Sequence, residues 1–261
     1  MHYILFFTLM INSAFALINK PIHSQIISIN PDEKRIYIKP VTGAQVGMYG
    51  LIIKSFDTSH STALSWVEVL SITAESIEVK TTPIVALEQS ALPSGTWEPK
   101  LGDKVTLGYN YHRALLISPN ASVYKKISSF HKQRRWVHPD IFASVLSSNG
   151  HPSPLIEDFK STCRANNIGL IGFVLKNSFV TVDCQSFKII EVKSSTLDTT
   201  EVQLPFYTRV SQIEANWFGE GSNELTEYTP YYTKLLAKSN PDNAWLQSFI
   251  SQDTNNTTQG E

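Results

Sequence analysis

A chain of 261 residues has room for one large domain or two small ones. Hydrophobic residues at 42% and charged residues at 17% support a packed core and exclude wholesale disorder. The 22 basic and 23 acidic residues give a formal net charge of −1, which argues against a dedicated nucleic-acid binder, and two cysteines cannot build a disulfide-rich scaffold or a four-thiolate zinc site.

The first element is an apolar run from Tyr3 to Ala16, broken only by Thr8, Asn12 and Ser13. It is too short to span a bilayer comfortably. It ends in Ala14-Phe15-Ala16, the small-x-small pattern of a signal peptidase site. A signal peptide over residues 1–16 is therefore expected, although no Lys or Arg precedes the run. No later apolar run approaches the length of a membrane span, so a mature chain without a transmembrane segment is expected, in the periplasm or at the cell surface.

Residues 24–111 read as β structure. Candidate strands are 24–29, 35–39, 48–56, 62–73, 76–80 and 104–111, rich in Ile, Val, Tyr and Thr and separated by turn residues. In the fourth, the alternation of Val67 and Val69 with Glu68 and Ser71 slips once near Leu70, which suggests a bulge. Pro99, Gly102 and Asp103 make a tight turn into the sixth strand. Short strands with little helix between them suggest a small barrel or sandwich over 20–111.

From residue 112 the texture changes. A short strand (112–119) precedes a helical pattern (122–131), with Asn120 placed to cap it. In 136–150 a strand-like stretch leads into a helix that Pro139 or Asp140 could start and Gly150 could stop. A further helix could start at Ser153 or Pro154 after a rigid HPSP loop. Residues 168–176 and 179–192 read as two strands joined at Asn177-Ser178. Gln212–Phe218 and Tyr231–Lys238 are amphipathic and read as helical, whereas 251–261 reads as a disordered polar tail. The fold class is thus α+β, with a small antiparallel barrel-like domain followed by a layered α/β domain over 112–240.

Cys163 shares a helix face with Phe159, and Cys184 alternates with Val180 and Val182, so both thiols point toward apolar layers. In an exported chain a Cys163–Cys184 disulfide is favoured, with two separate buried thiols as the alternative and a catalytic or metal-binding cysteine behind both. His138-Pro139-Asp140 and His151-Pro152 match no zinc spacing, and capping or packing explains them. Asp57, His60 and Ser61 need only backbone hydrogen bonds within a turn. With no nucleophile elbow, P-loop or dinucleotide fingerprint, neither an enzyme nor a cofactor is expected.

Two surface features remain. Lys125, Lys126, Lys132, Arg134 and Arg135 form the densest basic stretch, readable as a solvated face or as a docking patch. The aromatics Phe206, Tyr207, Tyr228, Tyr231 and Tyr232 are readable as terminal packing or as a partner patch. In the tail, Asp253-Thr254-Asn255-Asn256-Thr257 carries an acidic-x-Asn-x-Thr sequon, making Asn255 a candidate glycosylation site.

The segments 57–69, 91–120, 136–154, 168–190 and 204–214 resemble the N-terminal region of the plasminogen-binding PgbA-type surface proteins of epsilon-class proteobacteria. HPD-x-F, GHPSP and VDCQSFKI carry the match, which extends over roughly residues 20–240. The resemblance implies a non-enzymatic exported envelope protein that takes host plasminogen through its lysine-binding kringle modules. The sequence ends in Gly260-Glu261 and not in the terminal lysine that kringles usually take, which counts against lysine-dependent capture and leaves only internal lysines for it. The alternative is a periplasmic structural or assembly protein whose partners are other envelope proteins.

Overall fold

The computed structural model describes residues 20–84 and 97–257, with side chains as far as Ser251. The expected signal peptide over 1–16 lies outside the described residues.

Six strands close into an antiparallel barrel: β1 (Ile22–Asn30), β2 (Arg35–Ile38), β3 (Tyr49–Ser55), β4 (Ser61–Ile72), β5 (Ile77–Pro83) and β6 (Lys104–Leu107), in the order β1-β2-β5-β4-β3-β6. Period-two alternation sends Ile36, Ile38, Val67, Val69, Ile77 and Val79 inward. Closure leaves no open sheet edge. The β4–β5 register shifts between Val69 and Ser71, so the sequence slip at Leu70 is a bulge. The turn before β6 closes through Asp103, whose N–H reaches the Lys100 carbonyl (3.1 Å) and whose carboxylate accepts from the Lys100 N–H (2.8 Å).

The second layer is a mixed five-stranded sheet in the order β11-β10-β9-β7-β8. It is built from β7 (Arg113–Ile117), β8 (Arg135–Val137), β9 (Leu170–Leu175), β10 (Ser178–Asp183) and β11 (Ile189–Ser194). Strand β7 runs parallel to both neighbours, and the other pairs are antiparallel. Every residue of β9 and β10 is buried, as befits central strands covered on both faces. Helices α2 (Pro139–Asn149), α3 (Ile156–Asn166) and α4 (Tyr228–Ser239) cover the face carrying Leu115, Phe173 and Val180. The opposite face carries Leu116, Val174 and Phe179 under α1 (Ala121–Phe130), while Ala114, Leu170 and Ile190 join the core of the barrel. One sheet face therefore serves as the base on which the barrel stands.

Local chemistry sets the helix ends. The Asn120 side chain accepts the Val123 N–H (2.9 Å) and starts α1. Pro139 opens α2, and Gly150, in the left-handed region at φ 69°, stops it. Three readings are corrected. The stretch 179–192 is two strands, because the Asp183 carboxylate gathers the Gln185 and Ser186 N–H groups (2.9 and 3.0 Å) and turns the chain. Gln212–Phe218 is not helical: its polar groups bond instead to the C-terminal end of α2. Of the tail read as disordered, residues 251–257 prolong α5 (Ala244–Thr257), since adding residues to a helix already nucleated at its packed Trp245–Leu246 turn costs little, and 258–261 lie outside the described residues.

Two interactions join the layers. Asp183, fully buried, accepts at Oδ2 from the Tyr111 hydroxyl (2.8 Å) and the Tyr49 N–H of the barrel (3.0 Å). Burial pushes its carboxyl above the ordinary range, against the lowering effect of these donors and of the 185–186 turn. Beside it, Gly47 (φ 86°) passes so close to Lys188 that a Cβ there would lie 2.2 Å from the Lys188 Cβ. On the helical side, Cys163 and Cys184 form a disulfide between α3 and the end of β10, with Cα atoms 6.2 Å apart.

Asp183→Asn presents an amide to two donors that need an acceptor. A loss of about 2–4 kcal/mol in denaturant unfolding at neutral pH is expected. The contribution of a raised carboxyl is full below its ordinary value and falls as pH rises toward the raised one, so the gap between the native chain and Asp183→Asn narrows across that window and is flat above it. Reduction of the disulfide, or its replacement by paired alanines, should cost about 3 kcal/mol for a bridge closing a loop of this size, read as a shift in the denaturant midpoint.

Candidate functional site

The basic stretch divides on folding. Lys125 and Lys126 are exposed on α1, Lys132 is exposed in the turn after it, and Arg135 is exposed at the start of β8. Arg134 is not part of this surface. It is 4% exposed, donates to the Tyr111 carbonyl, and its guanidinium carbon lies 5.9 Å from the centre of the Trp136 ring. Burial pulls its pKa down to about 10, with Glu191 acting in the opposite direction. Arg134 sits in the turn between α1 and β8, its N–H bonded to the His131 carbonyl (3.0 Å), and the turn directs its side chain inward.

Beside the exposed lysines lies a groove of about 230 Å³ between α1 and the chain leaving β11. Its walls include Ile127, Phe130, Phe179 and Leu197, with Lys126 and His131 among the polar groups. Phe130 is 67% exposed. Burial, with Arg134 and Lys193 nearby, lowers the His131 pKa and favours the neutral imidazole. The groove is thus apolar along its walls, with the Lys126 cation among its lining. The helical spacing of Val123, Ile127 and Phe130 marked an apolar stripe on α1. It could not show that the stripe is wider than the sheet it covers.

The other sequence candidates have structural tasks. His138 Nδ1 accepts the Asp140 N–H (3.2 Å) at the start of α2, and Asp140 takes the Thr208 hydroxyl (2.8 Å) and the Arg209 N–H (2.8 Å) and side chain (2.6 Å). His151 pairs with Asp158 (2.9 Å), which also accepts the Leu155 N–H (2.8 Å) and the Asn149 amide (2.8 Å). The two His-Pro motifs thus bind α2 to the 204–210 segment and to α3. Asp57 accepts the Ser59 and His60 N–H groups (2.7 and 2.8 Å) in an exposed turn. Phe206, Tyr228 and Tyr232 are buried, and the Tyr228 and Tyr232 hydroxyls donate to the Ile117 (3.0 Å) and Pro205 (2.9 Å) carbonyls. Asn255 falls in the last turn of α5, where side chains lie outside the described residues.

A second cleft, of about 140 Å³, opens where the barrel meets the sheet, rimmed by Tyr49, Trp66, Tyr109 and Arg164. The Tyr49 and Trp66 rings lie 5.8 Å apart. It joins side chains distant in sequence, so no local pattern announced it.

The family model described as "Plasminogen-binding protein pgbA N-terminal" matches residues 21–236. The chain is similar to the plasminogen-binding protein PgbA of Helicobacter pylori strain J99, 26% identical over 208 residues that make up 78% of this chain and 45% of that protein. The same-named protein of strain 26695 matches with the same identity and coverage. The chain thus spans about half the length of the curated relatives it matches (45%). No solved structure matches it significantly.

Burial alone would raise the Asp140 pKa, but the Arg209 and Thr208 hydrogen bonds and His138 outweigh it and hold the value to about 2. A carboxylate depressed in this way stabilises the fold above its ordinary value, and the contribution is lost as pH falls through about 2. Asp140→Asn should therefore cost about 1–2 kcal/mol at neutral pH and close to nothing at the acid end, measured by denaturant unfolding across that range.

Proposed function

Because this chain belongs to the plasminogen-binding protein PgbA N-terminal family, we propose that it is a non-enzymatic, exported envelope or surface protein that captures plasminogen. The family match over residues 21–236 carries this reading, since it takes in the barrel, the sheet and most of α4. The relatives' printed names supply the ligand. Kringle modules hold a lysine ammonium between aromatic rings and carboxylates, and the exposed Lys125, Lys126 and Lys132 offer that group. Two features support export: the Tyr3–Ala16 segment with its small-x-small ending, and a closed disulfide suited to an oxidising compartment.

A second reading, a periplasmic structural or assembly protein with no plasminogen role, is favoured by coverage alone. The match takes in 45% of each relative, and plasminogen capture by those proteins can reside in the remainder.

Equilibrium binding of the chain to immobilised plasminogen, with and without a lysine analogue, separates the two. Saturable binding that the analogue abolishes is expected, and replacing Lys125, Lys126 and Lys132 by alanine should weaken it about tenfold or more. Absence of saturable binding at about 10 μM would remove plasminogen as ligand and leave the structural reading in its place.

A further inference from the structure

The cleft where the barrel meets the sheet brings three kinds of side chain together. The first is aromatic. Tyr49 and Trp66, half-buried on neighbouring barrel strands, have ring centroids 5.8 Å apart and planes 35° apart. Tyr109, 42% exposed, adds a third ring from the turn between β6 and β7. The second kind is amide. Asn110 of the same turn donates to Asn167 Oδ1 at the C-terminal end of α3. Asn110 Oδ1 is buried without a hydrogen-bond partner, so this pair has an acceptor that the fold leaves unused. The third kind is a cation. Arg164 is exposed in the last turn of α3, where its guanidinium reaches the Gln185 amide oxygen at 3.5 Å and pairs with no carboxylate among the described residues. Asp183 also borders the cleft, but it is 1% exposed and its oxygens are taken by the donors already described. Arg164 is therefore the charge that the cleft offers a ligand.

These groups are held in place by the scaffold. The Tyr49 N–H is fixed on Asp183 (3.0 Å). Arg164 follows Cys163 and Gln185 follows Cys184, so the disulfide keeps the α3 wall beside the turn after β10. Asn167 ends α3 in the left-handed region at φ 55°. A site built on fixed elements loses little entropy when it is filled.

Size and chemistry narrow the ligand. At about 140 Å³ the cleft is close to the ~150 Å³ cavity that is known to accept benzene in another protein, so it seats one six-membered ring. A flat aromatic ring would use Tyr49 and Trp66 and leave the amides and the guanidinium without partners. A bare anion would use Arg164 alone. A pyranose ring has an apolar C–H face for the aromatic rings and a rim of hydroxyls that both donate and accept, as amides require. A carboxylate on that ring meets the guanidinium in a charge-assisted pair. We propose that the cleft is a subsite for one acidic sugar ring, set against Tyr49 and Trp66 with its carboxylate on Arg164. This inference does not rest on plasminogen binding and is measured without plasminogen.

Heteronuclear NMR of the full chain, titrated with methyl glucuronide and separately with methyl glucoside, tests it. Signals of Trp66, Tyr109 and Asn167 should move with a Kd of about 1 mM for the glucuronide, and about tenfold weaker for the glucoside. Arg164→Gln, on an exposed side chain, should erase the difference between the two sugars and leave the glucoside unchanged. Trp66→Ala should weaken both, and Tyr109→Ala, in an exposed turn, does the same with less risk to the barrel. No movement of these signals at about 50 mM overturns the proposal. So does binding of both sugars that survives Trp66→Ala and Tyr109→Ala. Equal affinity for glucuronide and glucoside in the native chain overturns the assignment of Arg164. Acetate moving the same signals with the same midpoint would make the cleft a bare anion site and overturn the sugar.

Discussion

The buried Asp183 carboxylate is the constraint from which the rest of the arrangement follows. Its two oxygens are shared between a turn of its own strand and two groups delivered from the barrel side, the Tyr111 hydroxyl and the Tyr49 N–H. An unpaired carboxylate at this depth is costly, so the turn and the barrel contact each support the other. The Tyr111 hydroxyl is pushed well above its usual value, by burial and then by the Asp183 charge, and so remains a donor. The Ser186 hydroxyl, which donates to the Gly47 carbonyl (2.6 Å), carries the same network into the loop before β3. Barrel and sheet are therefore joined by directional bonds as well as by a continuous apolar core.

The disulfide acts on the other side of the same strand. Alternation sends Asp183 toward the barrel and Cys184 toward the helices, so consecutive residues fasten β10 to both layers. The family-like motif VDCQSF reads in these terms as one device: an acid for the barrel, a thiol for α3, and a turn closed by the acid. HPD-x-F and GHPSP have comparable tasks at the ends of α2. The residues that made the family recognisable are thus chiefly those that hold the scaffold, which is why they say little about the surface that meets a partner.

This division explains what was legible in the sequence. The barrel strands were, because each carries its own period and turn chemistry, and even the Leu70 bulge shows as a broken alternation. Asn120, Pro139 and Gly150 announced helix ends through interactions spanning a few residues. The break between β10 and β11 was hidden, since Phe187 and Ile189 continue an apolar run while the turn depends on a side chain whose remaining bonds come from Tyr49 and Tyr111. The 212–218 segment misled for a similar reason: its period fits a helix, but its backbone found partners on α2. Arg134 looked like surface because charge dominates a composition reading, and its inward direction depends on a turn whose acceptor, the Tyr111 carbonyl, is far away in sequence. The groove was illegible, being the space left between α1 and a sheet edge.

The surfaces left over from the scaffold are few and unlike one another. The α1 side presents Lys125 and Lys126 beside an apolar groove, and the opposite side presents Trp217 and Phe218 on a loop whose Glu220 pairs with Lys238. A partner that takes Lys125, Lys126 and Lys132 therefore approaches from the α1 side and leaves the aromatic tip uncovered, so substitutions at the two places report on different contacts.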